Sequence, residues 1–118
     1  MKIVNGIEFL KLPPGIVYCK TNMISADGTS MPNEFGPICI KRETSDNIWY
    51  YFELTPDINE INPNRYVEKW LNMKENSNIE IDSEVILQND IVSEENNHFV
   101  IFNKQEIQSM IDLLNECL

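Results

Sequence analysis

The chain has 118 residues, 42% hydrophobic and 24% charged, which suits a single domain spanning residues 1–118 with one core and leaves no room for a second. Nineteen acidic against nine basic residues give a formal charge of −10. That field repels nucleic acid and anionic membrane surfaces, so direct nucleic-acid binding is excluded as an expectation.

No apolar run reaches the ~18–20 residues of a membrane-spanning helix, and residues 1–6 are not followed by a signal-peptide apolar stretch. A cytoplasmic location is expected. Cys19, Cys39 and Cys117 are odd in number, widely spaced and without a Cys-x-x-Cys pair, which argues against a disulfide framework and against zinc. They are expected to be buried thiols. Residues 1–60 carry a net charge of −3 and residues 61–118 a net charge of −7, so an anionic ligand is expected to meet the first half.

In chain order, Asn5-Gly6-Ile7-Glu8 has capping-box spacing and predicts a short helix, stopped near Leu12 by Pro13-Pro14-Gly15. Residues 16–20 have the β-branched and aromatic content of a strand. Residues 21–37 carry turn chemistry with little periodicity and read as a long surface loop, with the possibility of a lid. Residues 38–42 and 48–54 read as an antiparallel hairpin joined by a five-residue connection, 43–47. Period-two alternation puts Ile48, Tyr50, Phe52 and Leu54 on one face and Trp49, Tyr51 and Glu53 on the other. Asn62-Pro63 opens a second helix to about residue 75. Residues 79–87 alternate as a strand and give way to an acidic loop from Asp90 to Asn97. His98 to Phe102 forms a compact strand, and a capping box at Asn103-Lys104-Gln105-Glu106 starts a final amphipathic helix. The expected architecture is α+β: a small, mainly antiparallel sheet with a short N-terminal helix, a middle helix and a C-terminal helix.

The familiar enzyme signatures are missing: no Gly-x-Gly-x-x-Gly, Walker loop, His-Glu-x-x-His or Gly-x-Ser-x-Gly occurs. No catalytic residue, cofactor or metal is assigned. His98, the only histidine, and a nearby carboxylate leave a hydrolase as one alternative. The scarce cations carry the leading expectation. Lys20, Lys41 and Arg42 lie on predicted strands near Tyr18, Trp49 and Tyr51, a set in which rings stack a base while cations meet phosphate. The plainer account packs those rings under a helix and pairs the cations with Glu43, Glu53 or other surface acids. The acidic second half suits a different role, occupying a basic groove on a protein partner.

Three stretches, Glu8-Phe9-Leu10-Lys11-Leu12-Pro13-Pro14-Gly15-Ile16-Val17-Tyr18, Phe35-Gly36-Pro37-Ile38-Cys39-Ile40-Lys41 and His98-Phe99-Val100-Ile101-Phe102 before the last helix, resemble a group of small phage- and prophage-encoded proteins. The resemblance spans nearly the whole chain and carries no activity or catalytic residues. This chain departs from the group at Gln88-Asn89-Asp90-Ile91, where relatives often have a basic residue followed by Asp-Gly. What the resemblance implies is a non-enzymatic accessory protein acting against host defences. The leading expectation is therefore sequestration of a small nucleotide-like signalling molecule, completed by homo-oligomerisation if the pocket lies between subunits. The competing expectation is an acidic inhibitor of a host defence or nucleic-acid-binding protein.

Overall fold

The computed structural model describes residues 1–23, 32–91 and 97–118. The chain runs β1 (Lys2–Asn5), α1 (Gly6–Leu10), β2 (Val17–Met23), β3 (Pro32–Ser45), β4 (Ile48–Glu53), β5 (Asp57–Ile58), α2 (Pro63–Glu75), β6 (Ser83–Glu84), β7 (Leu87–Ile91), β8 (Asn97–Ile101) and α3 (Lys104–Asn115). Six strands form one antiparallel sheet in the order β1-β8-β2-β3-β4-β7, and β5 pairs with β6 apart from it. Three helices with this sheet make the α+β fold. Among the described residues, no helix is long and apolar enough to cross a membrane.

The helix starts follow from their caps. Asn5 Oδ1 accepts from Glu8 N at 2.9 Å, Asn62 Oδ1 accepts from Asn64 N at 2.9 Å, and Asn103 and Glu106 exchange both bonds of a capping box. Each satisfies amide groups that the first helical turn leaves without carbonyl partners.

Four expectations change in detail. Of the three thiols expected to be buried, Cys19 and Cys39 are, while Cys117, just past the end of α3, is exposed. Residues 21–37 are not one loop: β2 and β3 stay paired through Thr21↔Phe35 and Asn22↔Glu34. Each strand supplies the other's backbone bonds, which outweighs a turn-rich composition. Residues 24–31, the rest of that segment and of the suggested lid, lie outside the described residues. The hairpin connection is also shorter than five residues, since β3 runs to Ser45 and leaves only Asp46 and Asn47 in the turn. Asp46 takes φ 55°, the left-handed region that a tight two-residue connection demands and that Asp tolerates. Finally, strand structure at 79–87 is confined to β6 and the start of β7, and β7 extends through Asp90 and Ile91, where a loop was expected. The remainder of that acidic segment, residues 92–96, is outside the description. Two strands, β1 and β5, have no expectation behind them: four residues of β1 pair with β8 along the sheet edge, and Asp57–Ile58 pairs with β6.

Directly paired residues share a face of a sheet, so the register sorts the side chains. One face, called near, carries Val4, Phe99, Ile101, Tyr18, Lys20, Cys39, Lys41, Trp49, Tyr51, Glu53, Gln88 and Asp90. The other, far, carries Cys19, Val100, Ile40, Tyr50, Phe52 and Leu87. α1 lays Phe9 on the near face, where it stacks on Phe99 with centroids 3.8 Å apart and meets Trp49 edge-on at 5.4 Å. Val4, Phe9, Tyr18, Cys39, Trp49, Phe99 and Ile101 are the buried cluster around that contact.

Candidate functional site

Two strand irregularities prepare two hollows. Opposite Lys20, β3 has an extra residue, the pairing stepping from Cys19↔Ile38 to Thr21↔Phe35 across Gly36-Pro37. A bulge suits both: Pro37 has no N–H to leave unpaired. At Gly36 a Cβ would lie 3.0 Å from the Lys20 carbonyl oxygen, so this close approach of the strands favours glycine and any side chain there would push the Lys20 backbone back. The second irregularity lies between Lys41 and Thr44, facing Tyr51 and Trp49. It falls at Arg42 and Glu43.

The near-face hollow has a volume of about 120 Å³ and is lined by Tyr18, Lys20, Pro37, Cys39, Trp49, Tyr51, Glu53 and Asp90. Tyr18 and Trp49 are buried at its inner side, joined by a 2.8 Å bond from the indole Nε1–H to the Tyr18 hydroxyl. Burial pushes the Tyr18 phenol well above its ordinary pKa, and burial with the nearby Glu53 charge pushes the Cys39 thiol up to about 11. Cys39 is thus protonated and inert near neutral pH. Tyr51 donates to Gln88 Oε1 at 3.3 Å, and its phenol is raised first by burial and then by the Asp90 charge. Lys20 crosses the hollow. Its ammonium lies 3.5 Å from Asp90 Oδ2 and 6.0 Å from the Trp49 ring centroid.

The six residues singled out from the sequence do not share one phosphate site. Tyr18, Lys20, Trp49 and Tyr51 line the near-face hollow, but the first and third belong to the core and the second is held by a carboxylate. Lys41 is on the same face yet buried under α1, donating from Nζ to the Leu12 carbonyl oxygen with the ammonium 5.6 Å from the Phe9 centroid. Burial lowers its pKa. Arg42 is on the far face. Alternation along β3 is the reason, since adjacent residues of a strand point to opposite sides.

The far-face hollow is an open groove of about 330 Å³ lined by Arg42, Glu43, Tyr50, Phe52 and Leu87. The Arg42 guanidinium carbon sits 5.7 Å from the Phe52 ring centroid. His98 points to this side of the sheet, as Phe99 beside it points to the near side, so it does not join Glu53 and Asp90 in a dyad. Among the described residues no group of three His, Cys, Asp or Glu side chains is placed to hold a metal.

Sequence reasoning missed Asp90, Tyr50 and Phe52 as lining residues. Glu53 was legible through its alternation with Trp49 and Tyr51, and Tyr50 and Phe52 through theirs with each other. Asp90 was hidden because its strand reads as acidic loop. Compared with known proteins, the chain matches no family model, no curated protein and no solved structure.

Proposed function

We propose that the protein is a non-enzymatic, acidic binding protein whose near-face hollow receives a basic side chain from a protein partner. One observation carries this reading: the hollow already holds an ammonium group, that of Lys20, between an aromatic face and a carboxylate, with Glu53 in the same lining. A π face with carboxylates is cation-recognition chemistry. The volume supports a single charged head. About 120 Å³ is the room of roughly four waters at ~30 Å³ each, well below the ~300 Å³ at which drug-sized ligand sites begin. A whole nucleotide does not fit there.

The net charge of −10 acts in the same direction, steering a basic surface toward the chain and raising its association rate at low salt. Lys20 and Asp90 are each about two-fifths exposed, at 38% and 44%, so their ion pair is of the weak surface kind and yields readily to an incoming cation. Together with the resemblance to small phage and prophage proteins, this favours a basic host protein, such as one that handles nucleic acid, as the target of a counter-defence role.

The test uses N-acetyl-arginine amide and its uncharged citrulline counterpart, followed by the NMR signal of the Trp49 indole N–H. The arginine probe is expected to shift that signal saturably and the citrulline probe to leave it in place. Asp90→Asn should weaken the arginine probe at least fivefold, and Lys20→Ala, which removes the internal occupant, should tighten it. Equal response to both probes, or no saturable shift, refutes the reading.

A further inference from the structure

We propose that the far-face groove is a second, independent binding site, for a small molecule that joins one aromatic ring to one anionic group, of the size of a nucleoside monophosphate. The groove and its orphan guanidinium carry the proposal.

Arg42 stands out among the cations near the central strands. Lys20 has Asp90, and Lys41 has the Leu12 carbonyl. Among the described residues Arg42 has no carboxylate within ion-pair distance and no hydrogen-bonded acceptor; its one specific neighbour is the Phe52 ring. A guanidinium held near a ring by cation–π attraction alone keeps its N–H edge available, and that edge engages phosphate or carboxylate through two parallel bonds. The bulge between Lys41 and Thr44 turns this part of β3 locally, a device that re-aims side chains beside functional sites.

The rest of the groove suits a ring. Tyr50 is 36% exposed and Leu87 51% exposed, and with Phe52 they form an apolar and aromatic wall next to the guanidinium. Base-sized rings stack on such walls whatever their substituents. Glu43 shares the lining. As a carboxylate it accepts hydrogen bonds from ring amino or sugar hydroxyl groups, and it repels a second cluster of negative charge. Size acts in the same sense: about 330 Å³ lies at the lower end of the ~300–1,000 Å³ range of small-molecule sites, enough for one nucleotide and too little for two.

Nothing in this site depends on the near-face reading, because the two hollows share no lining residue. The experiment titrates the full chain with adenosine 5′-monophosphate and with adenosine, by calorimetry and by NMR on the Tyr50 and Phe52 ring signals. The monophosphate is expected to bind saturably and at least tenfold more tightly than the nucleoside. Arg42→Ala should lose at least tenfold in affinity, with Arg42→Lys between the two, and Tyr50→Ala should weaken both ligands together. Asp90→Asn on the near face should leave monophosphate affinity unchanged. Absence of saturable binding by the monophosphate, equal affinity for the nucleoside, or an Arg42→Ala variant that binds like the parent each overturns the proposal. Unfolding midpoints of the variants, measured alongside, separate lost binding from lost fold; if Arg42→Ala is unfolded, Arg42→Lys with ring signals intact decides.

Discussion

Trp49 and Tyr50 are neighbours in β4, yet the first is 1% exposed and the second 36%. The pair represents the two faces of the sheet at its β4–β7 end. On the near face α1 delivers Phe9, and Phe99, Tyr18 and Trp49 close round it. On the far face Tyr50, Leu87 and Ile91 keep 36% to 56% of their surface exposed. At this end of the sheet burial follows where the five-residue α1 lands, whereas farther along the far face Cys19 and Val100 are buried without it. The faces differ in charge chemistry as well: the near-face hollow holds two carboxylates and one engaged lysine, and the far-face groove holds an arginine with no paired acid.

The comparison breaks first on core truncation. Trp49→Ala is expected to destabilise by about 3–5 kcal/mol, the usual range for emptying a packed aromatic site, while Phe52→Ala on the far face should cost less than half as much. Urea unfolding of both variants measures this, and equal losses would show that the far face is packed as tightly as the near one.

Alkaline pH should act through the near face next. Cys39 is raised from 9.0 to about 11 and Tyr18 is raised from 10.0, chiefly by burial. The folded chain therefore keeps protons that the unfolded chain releases, so this stability is complete below pH ~9 and is lost as pH climbs toward 11. A two-unit shift at Cys39 corresponds to up to about 2–3 kcal/mol. Lys41 opposes the trend, because its lowered value makes stability rise as pH approaches 10.5. Urea midpoints at pH 7.5, 9 and 10.5 should fall overall, and fall less in Cys39→Ala. Parallel curves for the two proteins would remove Cys39 from the account.

The smallest effect sharpens the contrast at single-atom level. Tyr18→Phe deletes the oxygen that accepts the Trp49 indole N–H and should cost about 1–2 kcal/mol, since it leaves a buried donor unsatisfied. Tyr50→Phe, at an exposed hydroxyl, should stay within about 0.5 kcal/mol. Thermal or urea unfolding of the pair gives the difference directly.

The division between the faces was partly readable before any coordinates. Alternation separates Trp49, Tyr51 and Glu53 from Tyr50 and Phe52, and the same rule separates Lys41 from Arg42, which makes a shared phosphate site for those two cations incompatible with one strand. The plainer account of the rings, packed beneath a helix, describes Tyr18 and Trp49, and it fails for Arg42, which finds a ring in place of an acid. Asp90 could not be placed, because Gln88-Asn89-Asp90 has loop composition and becomes a strand only by pairing with Tyr51, Tyr50 and Trp49.

From the sequence alone came the local elements: three helix starts with asparagine caps, the breaks at Pro13-Pro14-Gly15, the parity of β4, and an acidic surface. These depend on interactions within a few residues, which the order of residues states directly. Strand order, the pairing of β1 with β8, the bulge at Gly36-Pro37 and the crossing of Lys20 to Asp90 were settled by tertiary structure. They join residues as far as 99 positions apart, as Lys2 and Ile101 are in the sheet. Such contacts depend on which alternative pairing buries the most apolar surface while satisfying every backbone group, a competition that local sequence does not display.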